Sequence, residues 1–88
     1  MQLLVKEQEF IEVELGRDLT TLKKGETGVL MRIDLPDDDA QRLMELGFLP
    51  GHKITRAMAA PGGDPRVFQV DGSEVALRRE TATHLILK

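Results

Sequence analysis

The sequence contains no cysteine, tryptophan or tyrosine, and only three phenylalanines among its 88 residues. Without cysteine, the chain has neither a disulfide framework nor a thiolate metal site. Its few aromatic side chains cannot line the groove that some small barrels use for proline-rich peptides. They also cannot supply the stacking platform that other barrels use for single-stranded nucleic acid. The composition therefore excludes several binding functions that are common among small β-domains.

Long apolar runs are also missing. No segment approaches the ~20 consecutive apolar residues that a membrane-spanning helix needs, and the N-terminal stretch MQLLVKEQEF lacks the apolar core of a secretory signal. The net charge of −3 argues against a nucleic-acid partner, because such proteins neutralise phosphates with Lys and Arg. These absences are compatible with a cytoplasmic protein.

The sequence has no signature of an enzyme. No phosphate-binding loop of the form G-x-x-x-x-G-K-[ST] occurs in it. The only serine, Ser73, could form a Ser-His-Asp catalytic triad only together with His84 and Asp71. The sequence gives no sign of an oxyanion hole or pocket to accompany such a triad. We therefore predict no catalytic residues, no cofactor and no enzymatic activity.

Short strand patterns surround a single helix pattern. Residues 17–26 read as one helical turn with Asp18 as its N-cap, ending in a turn at Lys24-Gly25. In residues 28–36, the alternation predicts a half-buried strand that Pro36 stops, with one face formed by Val29, Met31, Ile33 and Leu35. Further strand patterns occupy residues 52–60, 66–70, 73–77 and 84–88, and the Asp71-Gly72 pair predicts a type I′ hairpin turn.

The clearest helix spans about residues 37–47, with Asp37 as its predicted N-cap. The residues predicted to form its inner face are Ala40, Leu43, Met44 and Gly47. Gly47 also suits the position after the helix, where a left-handed conformation is common. The order of elements predicts a mainly β fold, a small closed or nearly closed barrel with one inserted helix and one or two short helical turns.

Candidate metal ligands are few. Asp37, Asp38 and Asp39 are consecutive, and successive helical side chains point roughly 100° apart, so we expect them to complement the helix dipole. His52 follows a turn and has no second histidine at metal spacing, which is typical of a surface residue. We predict no resident metal; the alternative is a weak, hydrated site for Fe²⁺ or another divalent cation at these residues.

The chain divides into an N-terminal extension, residues 1–17, and a domain, residues 18–88. Within the extension, the alternation of apolar and acidic residues from Ile11 to Leu15 favours a strand, although a helical face is also compatible with the spacing. An extra strand at the edge of so small a barrel would present unpaired backbone groups that could pair with a second copy. A homo-oligomer is therefore an expected alternative to a monomer.

Four segments, in this order, closely resemble the FeoA family: TTLKKGETGVLMRI, RLMELGFLPGHKI, APGGDPRVFQV and VALRRETATHLIL. The resemblance covers about residues 19–88 and centres on L-x-x-L-G-F-x-P-G, followed by G-D-P and A-L-R-R. Two features depart from the family pattern, the segment before Asp18 and the extra glycine ahead of Asp64-Pro65. The resemblance implies an SH3-like β-barrel.

FeoA proteins are small cytosolic proteins associated with bacterial ferrous iron uptake. The resemblance implies a non-catalytic regulatory partner that binds the cytoplasmic part of the membrane-embedded transporter FeoB, which includes a GTPase domain. The same domain type forms the C-terminal domain of iron- and manganese-dependent repressors. These repressors also have a helix-turn-helix and dimerisation helices, which we do not find in these 88 residues. The alternatives are therefore a transition-metal-binding or sensing module and the C-terminal SH3-like domain of such a repressor.

The family offers no established catalytic set to carry over, so we predict only a partner-binding surface on two loops. Binding residues often lie in loops that a rigid scaffold positions. The residues are Leu49, Pro50 and Gly51 in the turn after the helix, and Pro61, Gly62, Gly63, Asp64 and Pro65 in the longest loop. We expect Leu49 to be exposed at the tip of its turn. The alternative is that both loops serve only as turns.

Overall fold

A computed structural model of the chain describes residues 17–59 and 61–88, and it confirms the mainly β fold. Five strands form one antiparallel sheet in the order β4-β3-β2-β1-β5. The strands are β1 (Thr27–Ile33), β2 (Lys53–Ala59), β3 (Arg66–Val70), β4 (Ser73–Leu77) and β5 (Leu85–Leu87). The helices are α1 (Asp37–Glu45) and α2 (Arg79–Ala82), and a 3₁₀ turn (Leu19–Thr21) precedes β1.

The 3₁₀ turn connects distant parts of the sheet. Asp18 caps this turn, as the sequence predicts, and also forms an isolated antiparallel bridge with Ile86 of β5. From the other side, Arg56 of β2 and Arg66 of β3 donate hydrogen bonds to carbonyl oxygens within or next to the turn. Within the described ranges, the edge strands β4 and β5 do not pair with each other. The sheet is therefore not closed into a barrel. The 3₁₀ turn and Asp18 lie between its two ends, bonded to β5 on one side and to β2 and β3 on the other.

One hydrophobic core lies between the sheet, α1 and the 3₁₀ turn. Phe48 and Phe68 are both fully buried in it, so at least two of the three phenylalanines belong to the core, as expected from the sequence. The other members are Leu19, Leu22, Leu30, Leu43, Ile54, Val70, Leu77, Ala82, Leu85 and Leu87. Burial of these side chains is the main force that holds the short strands together.

Strand β1 contains a β-bulge, because its pairing with β5 shifts between Leu30 and Arg32. Before the bulge Leu30 is fully buried, and after it Ile33 packs against the core. The predicted inner face is therefore confirmed for Ile33 and Leu35, which pack against the core. It is wrong for Val29 and Met31, because Leu30 takes the inward position before the bulge. The extra residue of a bulge transfers the following side chains to the other face.

Helix α1 begins at Asp37, but this residue is not the N-cap. Pro36 occupies the capping position, because its carbonyl oxygen accepts the first helical bond from the backbone N–H of Ala40, and no side chain caps the helix. The helix buries Ala40 and Leu43 as predicted. Met44 is 39% exposed and lies at the rim of the buried face, so its assignment to the inner face is wrong.

The helix ends earlier than residue 47, at Glu45, and Gly47 follows with φ +109°. This positive φ confirms the predicted role of Gly47. A Cβ at this position would lie 3.2 Å from the Cβ of Asp71, so the hairpin between β3 and β4 packs directly on the glycine. Asp71 and Gly72 both have positive φ, as the predicted type I′ turn requires.

The predicted strand between Ile11 and Leu15 lies outside the described residues. The same is true of the whole N-terminal extension except Arg17. The extra strand, and the self-association that would depend on it, therefore stay predictions.

Candidate functional site

The turn that leaves α1 is fastened to β1 by its backbone. The N–H of Gly51 donates to the carbonyl oxygen of Leu30 at 2.7 Å, and the N–H of Leu30 donates to that of His52 at 3.0 Å. Pro50 and Gly51 are exposed, whereas Leu49 is half-buried. The expectation of a fully exposed Leu49 is therefore wrong, because the leucine lies against the barrel while the proline and glycine form the accessible tip.

The loop formed by residues 61–65 is held to helix α2 by one of its own side chains. The Oδ1 atom of Asp64 accepts a hydrogen bond from the backbone N–H of Arg79 at 3.0 Å, so the carboxylate satisfies an otherwise unpaired donor at the start of the helix. Pro61, Gly62 and Asp64 are exposed, and Gly63 and Pro65 are half-buried. The loop thus presents its first two residues to solvent, while the side chain of Asp64 stabilises the start of α2.

The structure places these two loops at opposite ends of β2. The turn with Leu49, Pro50 and Gly51 precedes Lys53, the first residue of the strand, and the residue 61–65 loop follows its last residue. A seven-residue strand is about 23 Å long. The two predicted segments are therefore separate parts of the surface and do not line one pocket.

A groove that sequence reasoning missed lies between α1 and the segment from the end of β4 to α2. It has a volume of about 320 Å³ and is lined by Leu35, Asp39, Arg42, Leu43, Leu77 and Thr81. Leu43 and Leu77 are almost completely buried and form its apolar floor, while Asp39 and Arg42 are exposed at its edge. No local pattern predicts this groove, because its two walls are more than thirty residues apart in the sequence.

A second, more polar depression of about 480 Å³ lies on the outer face of β2, β3 and β4. Its lining includes Lys53, Thr55, Gln69 and Glu74. Within it, the Nε2 atom of Gln69 donates to a carboxylate oxygen of Glu74 at 3.4 Å. Ser73 and Asp71 also line this depression, at the β3–β4 turn. His84 precedes β5 at the other edge of the sheet, so the structure does not bring the three residues together as a Ser-His-Asp triad.

The predicted metal candidates do not converge. Asp37, Asp38 and Asp39 are all exposed in the first turn of α1, and His52 is exposed ahead of β2. Across residues 17–59 and 61–88, no group of three or more His, Asp or Glu side chains is arranged to hold a metal ion. A weak cation site at these residues stays a prediction.

The family of the chain follows from comparison with known proteins. The model of the FeoA domain matches residues 17–88, which include every strand and helix described above. The chain belongs to the FeoA family. A stretch of 67 residues is also 33% identical to a fusion of Fe²⁺ transport protein A with the Fe²⁺ transporter FeoB from Porphyromonas gingivalis. That stretch is 76% of this chain and only 8% of the fusion protein.

Solved structures of FeoA proteins share the fold. The zinc complex of FeoA from Stenotrophomonas maltophilia, described as a prokaryotic SH3 domain protein, is 32% identical with a TM-score of 0.70 over 81% of this chain and 88% of that one. Iron(II) transport protein A from Clostridium thermocellum is 27% identical with a TM-score of 0.75, over 81% of this chain and 44% of that one. The predicted SH3-like fold is thereby confirmed. Among the described residues, no helix is long and apolar enough to cross a membrane.

Proposed function

We propose that this FeoA-family protein is a non-catalytic accessory protein of ferrous iron transport, and that it binds the cytoplasmic part of an FeoB-type transporter. The observation that carries the proposal is the fusion protein from Porphyromonas gingivalis, in which an FeoA-type sequence and FeoB belong to one chain. Joining two proteins in one chain raises their effective concentration for each other, which favours pairs that act together. We infer that this domain likewise contacts the cytoplasmic part of such a transporter.

The proposed contact surface includes the exposed tips of the two loops. A standard interface covers about 800 Å² on each partner, which corresponds to a patch roughly 30 Å across. Such a patch can include both Pro50 and Pro61, although these residues lie at opposite ends of β2. The first loop is held by backbone hydrogen bonds to β1, and the second by the hydrogen bond that the Asp64 side chain accepts from Arg79. Fixed loops lose little conformational entropy on binding.

Three variants of the full chain map this surface. Pro50→Glu and Pro61→Glu place a charge at the tip of each loop, and Ala76→Glu adds the same charge at an exposed position of the edge strand β4. Titration against the transporter's cytoplasmic part should show binding weakened about tenfold or more by each loop variant, because an unpaired charge is then buried at the interface. Ala76→Glu should bind like the parent chain. Unchanged binding by both loop variants would contradict this choice of surface.

A second candidate function is supported by the zinc complex of the Stenotrophomonas maltophilia relative. A metal-binding module would use the acidic first turn of α1 or His52 as ligands. Anaerobic calorimetry with Fe²⁺ and Mn²⁺ tests it, with Asp38→Asn/Asp39→Asn and His52→Ala as the variants and Glu74→Gln as the control. This candidate predicts stoichiometric binding at micromolar metal that one of these two variants loses and the control retains. Binding only at millimolar metal would contradict it.

A further inference from the structure

Strand β4 has an unpaired edge. Among residues 17–59 and 61–88, its only neighbour in the sheet is β3. The other outer strand, β5, is covered, because Ile86 pairs with Asp18 and the N–H of Leu87 donates to the carbonyl oxygen of Arg17. An unpaired edge presents a row of backbone donors and acceptors to which a further strand can bond. Within the described ranges, β4 is therefore the edge that can accept such a strand.

The register of the β3–β4 hairpin shows which backbone groups face outwards. Its turn has two residues, so Ser73 and every second residue after it exchange hydrogen bonds with β3. The N–H and C=O groups of Glu74 and Ala76 point away from β3 and have no backbone partner in the described part of the chain. Both residues are exposed. Arg78 is still extended, with φ −72° and ψ 154°, so its N–H continues the row.

The side chains along this edge form a self-complementary pattern. Glu74, Ala76 and Arg78 project from the outer face, since residues two apart in an extended segment share one side. Opposite charges thus lie at equal distances on either side of a small, neutral residue. A two-fold axis through Ala76 would bring the glutamate of each copy opposite the arginine of the other.

Charge selects one register among those that two antiparallel copies of this edge can adopt. The outward-facing residues must oppose one another if the strands are to bond. Placing Glu74 opposite Glu74 of the second copy sets like charges against each other, which is unfavourable. Placing Ala76 opposite Ala76 instead forms two Glu74–Arg78 pairs. On the core side, the same register sets the half-buried Val75 against Leu77 of the second copy.

We propose that two copies of the chain pair antiparallel through β4, with Ala76 on the two-fold axis and Glu74 of each copy bound to Arg78 of the other. The two Ala76 residues exchange two backbone hydrogen bonds, and each Arg78 N–H donates to the carbonyl oxygen of the opposing Glu74. The carbonyl oxygen of Arg78 already accepts from Thr81 and Ala82, so the pairing ends where α2 begins.

The contact is short, and the dimer is therefore weak. A contact along one strand edge of this length falls below the ~1,200 Å² of a stable interface. We expect a dissociation constant between about 0.1 and 1 mM. The chain is then monomeric at micromolar protein, so Ala76→Glu remains a fair control for the transporter titration. The inference does not depend on transporter binding, because neither loop tip lies on β4.

Single-cysteine variants test the geometry directly, because the chain contains no cysteine. In Ala76→Cys, the two Cα atoms of the dimer are about 5.5 Å apart, a distance that a disulfide spans. In Ser73→Cys, which is exposed on the same strand, the two sites are about 20 Å apart. Under mild oxidation with diamide, Ala76→Cys should form disulfide dimers at least about tenfold faster than Ser73→Cys, because pairing raises the effective thiol concentration.

Charge reversal tests the predicted pairs. Glu74→Arg and Arg78→Glu each set like charges against one another at both ends of the contact. Sedimentation equilibrium should show the dimer weakened about tenfold or more by either variant. Glu74→Arg/Arg78→Glu restores opposite charges and should return the dissociation constant to within about threefold of the parent chain. Glu45→Arg makes the same change in charge at an exposed position of α1 and should dimerise like the parent.

Four results would overturn the proposal. A parent chain that stays monomeric up to about 1 mM would exclude the dimer. Equal crosslinking of the two cysteine variants would show that the copies meet only by random collision. A double charge variant as weak as the single ones would mean that Glu74 and Arg78 are not opposed. The same weakening in Glu45→Arg would reveal a general effect of net charge.

Discussion

At the level of single residues, the motif L-G-F-x-P-G mainly forms the connection between the end of helix α1 and the start of strand β2. Gly47 takes a positive φ, Phe48 is fully buried, and Gly51 bonds back to β1. The roles of Gly47 and Phe48 could be predicted from the sequence, because helix ends and core aromatics follow local rules. The partial burial of Leu49 and the exposure of Met44 could not, since both depend on neighbours that are distant in the sequence.

Two glycines of this motif provide a matched pair for a stability measurement. Both have positive φ, but a Cβ on Gly47 would press on Asp71, whereas a Cβ on Gly51 would meet nothing within 4 Å. We expect Gly47→Ala to lower the free energy of unfolding by about 2–3 kcal/mol, through backbone strain plus the contact with the hairpin. Gly51→Ala should lower it by about 1 kcal/mol, through strain alone. Urea denaturation measures both, and equal losses would contradict the packing role of Gly47.

At the scale of elements, sequence patterns predicted the strands and the main helix but not how they fit together. Strand β1 has apolar residues at consecutive positions from Val29 to Met31, so its alternation is compatible with either face. With the bulge in its pairing with β5, the strand buries Leu30 rather than its neighbours Val29 and Met31. Such a choice depends on pairing between strands more than fifty residues apart, which a local pattern does not contain.

The link between the residue 61–65 loop and α2 gives a prediction at this scale. Asp64→Ala removes the acceptor of the Arg79 N–H and should lower the free energy of unfolding by about 1 kcal/mol. It should also speed hydrogen exchange at the start of α2. Asp64→Asn retains a side-chain oxygen at the same place and should stay within about 0.5 kcal/mol of the parent chain. If the two variants were equally destabilised, the carboxylate charge rather than the hydrogen bond would be the important feature.

At the scale of the whole molecule, the family motifs predicted the SH3-like fold, because they contain the turns and core positions that the fold requires. The predicted strand at residues 52–60 already separates the two candidate loops, but the sequence could not predict that Arg56 and Arg66 both reach the 3₁₀ turn. Their approach depends on the register of β2 with β3, which a local pattern does not contain. The groove between α1 and α2 arises in the same way, from elements that meet only in the folded chain.

We infer that this domain contacts an FeoB-type transporter without catalysing a reaction itself. The most direct measurement is an equilibrium titration of the full chain against membranes that contain the transporter, with membranes lacking it as the control. We predict saturable binding that requires the transporter and that weakens when Pro50 or Pro61 is replaced by glutamate. Equal binding to both kinds of membrane, or no binding to either, would contradict the proposed contact with the transporter.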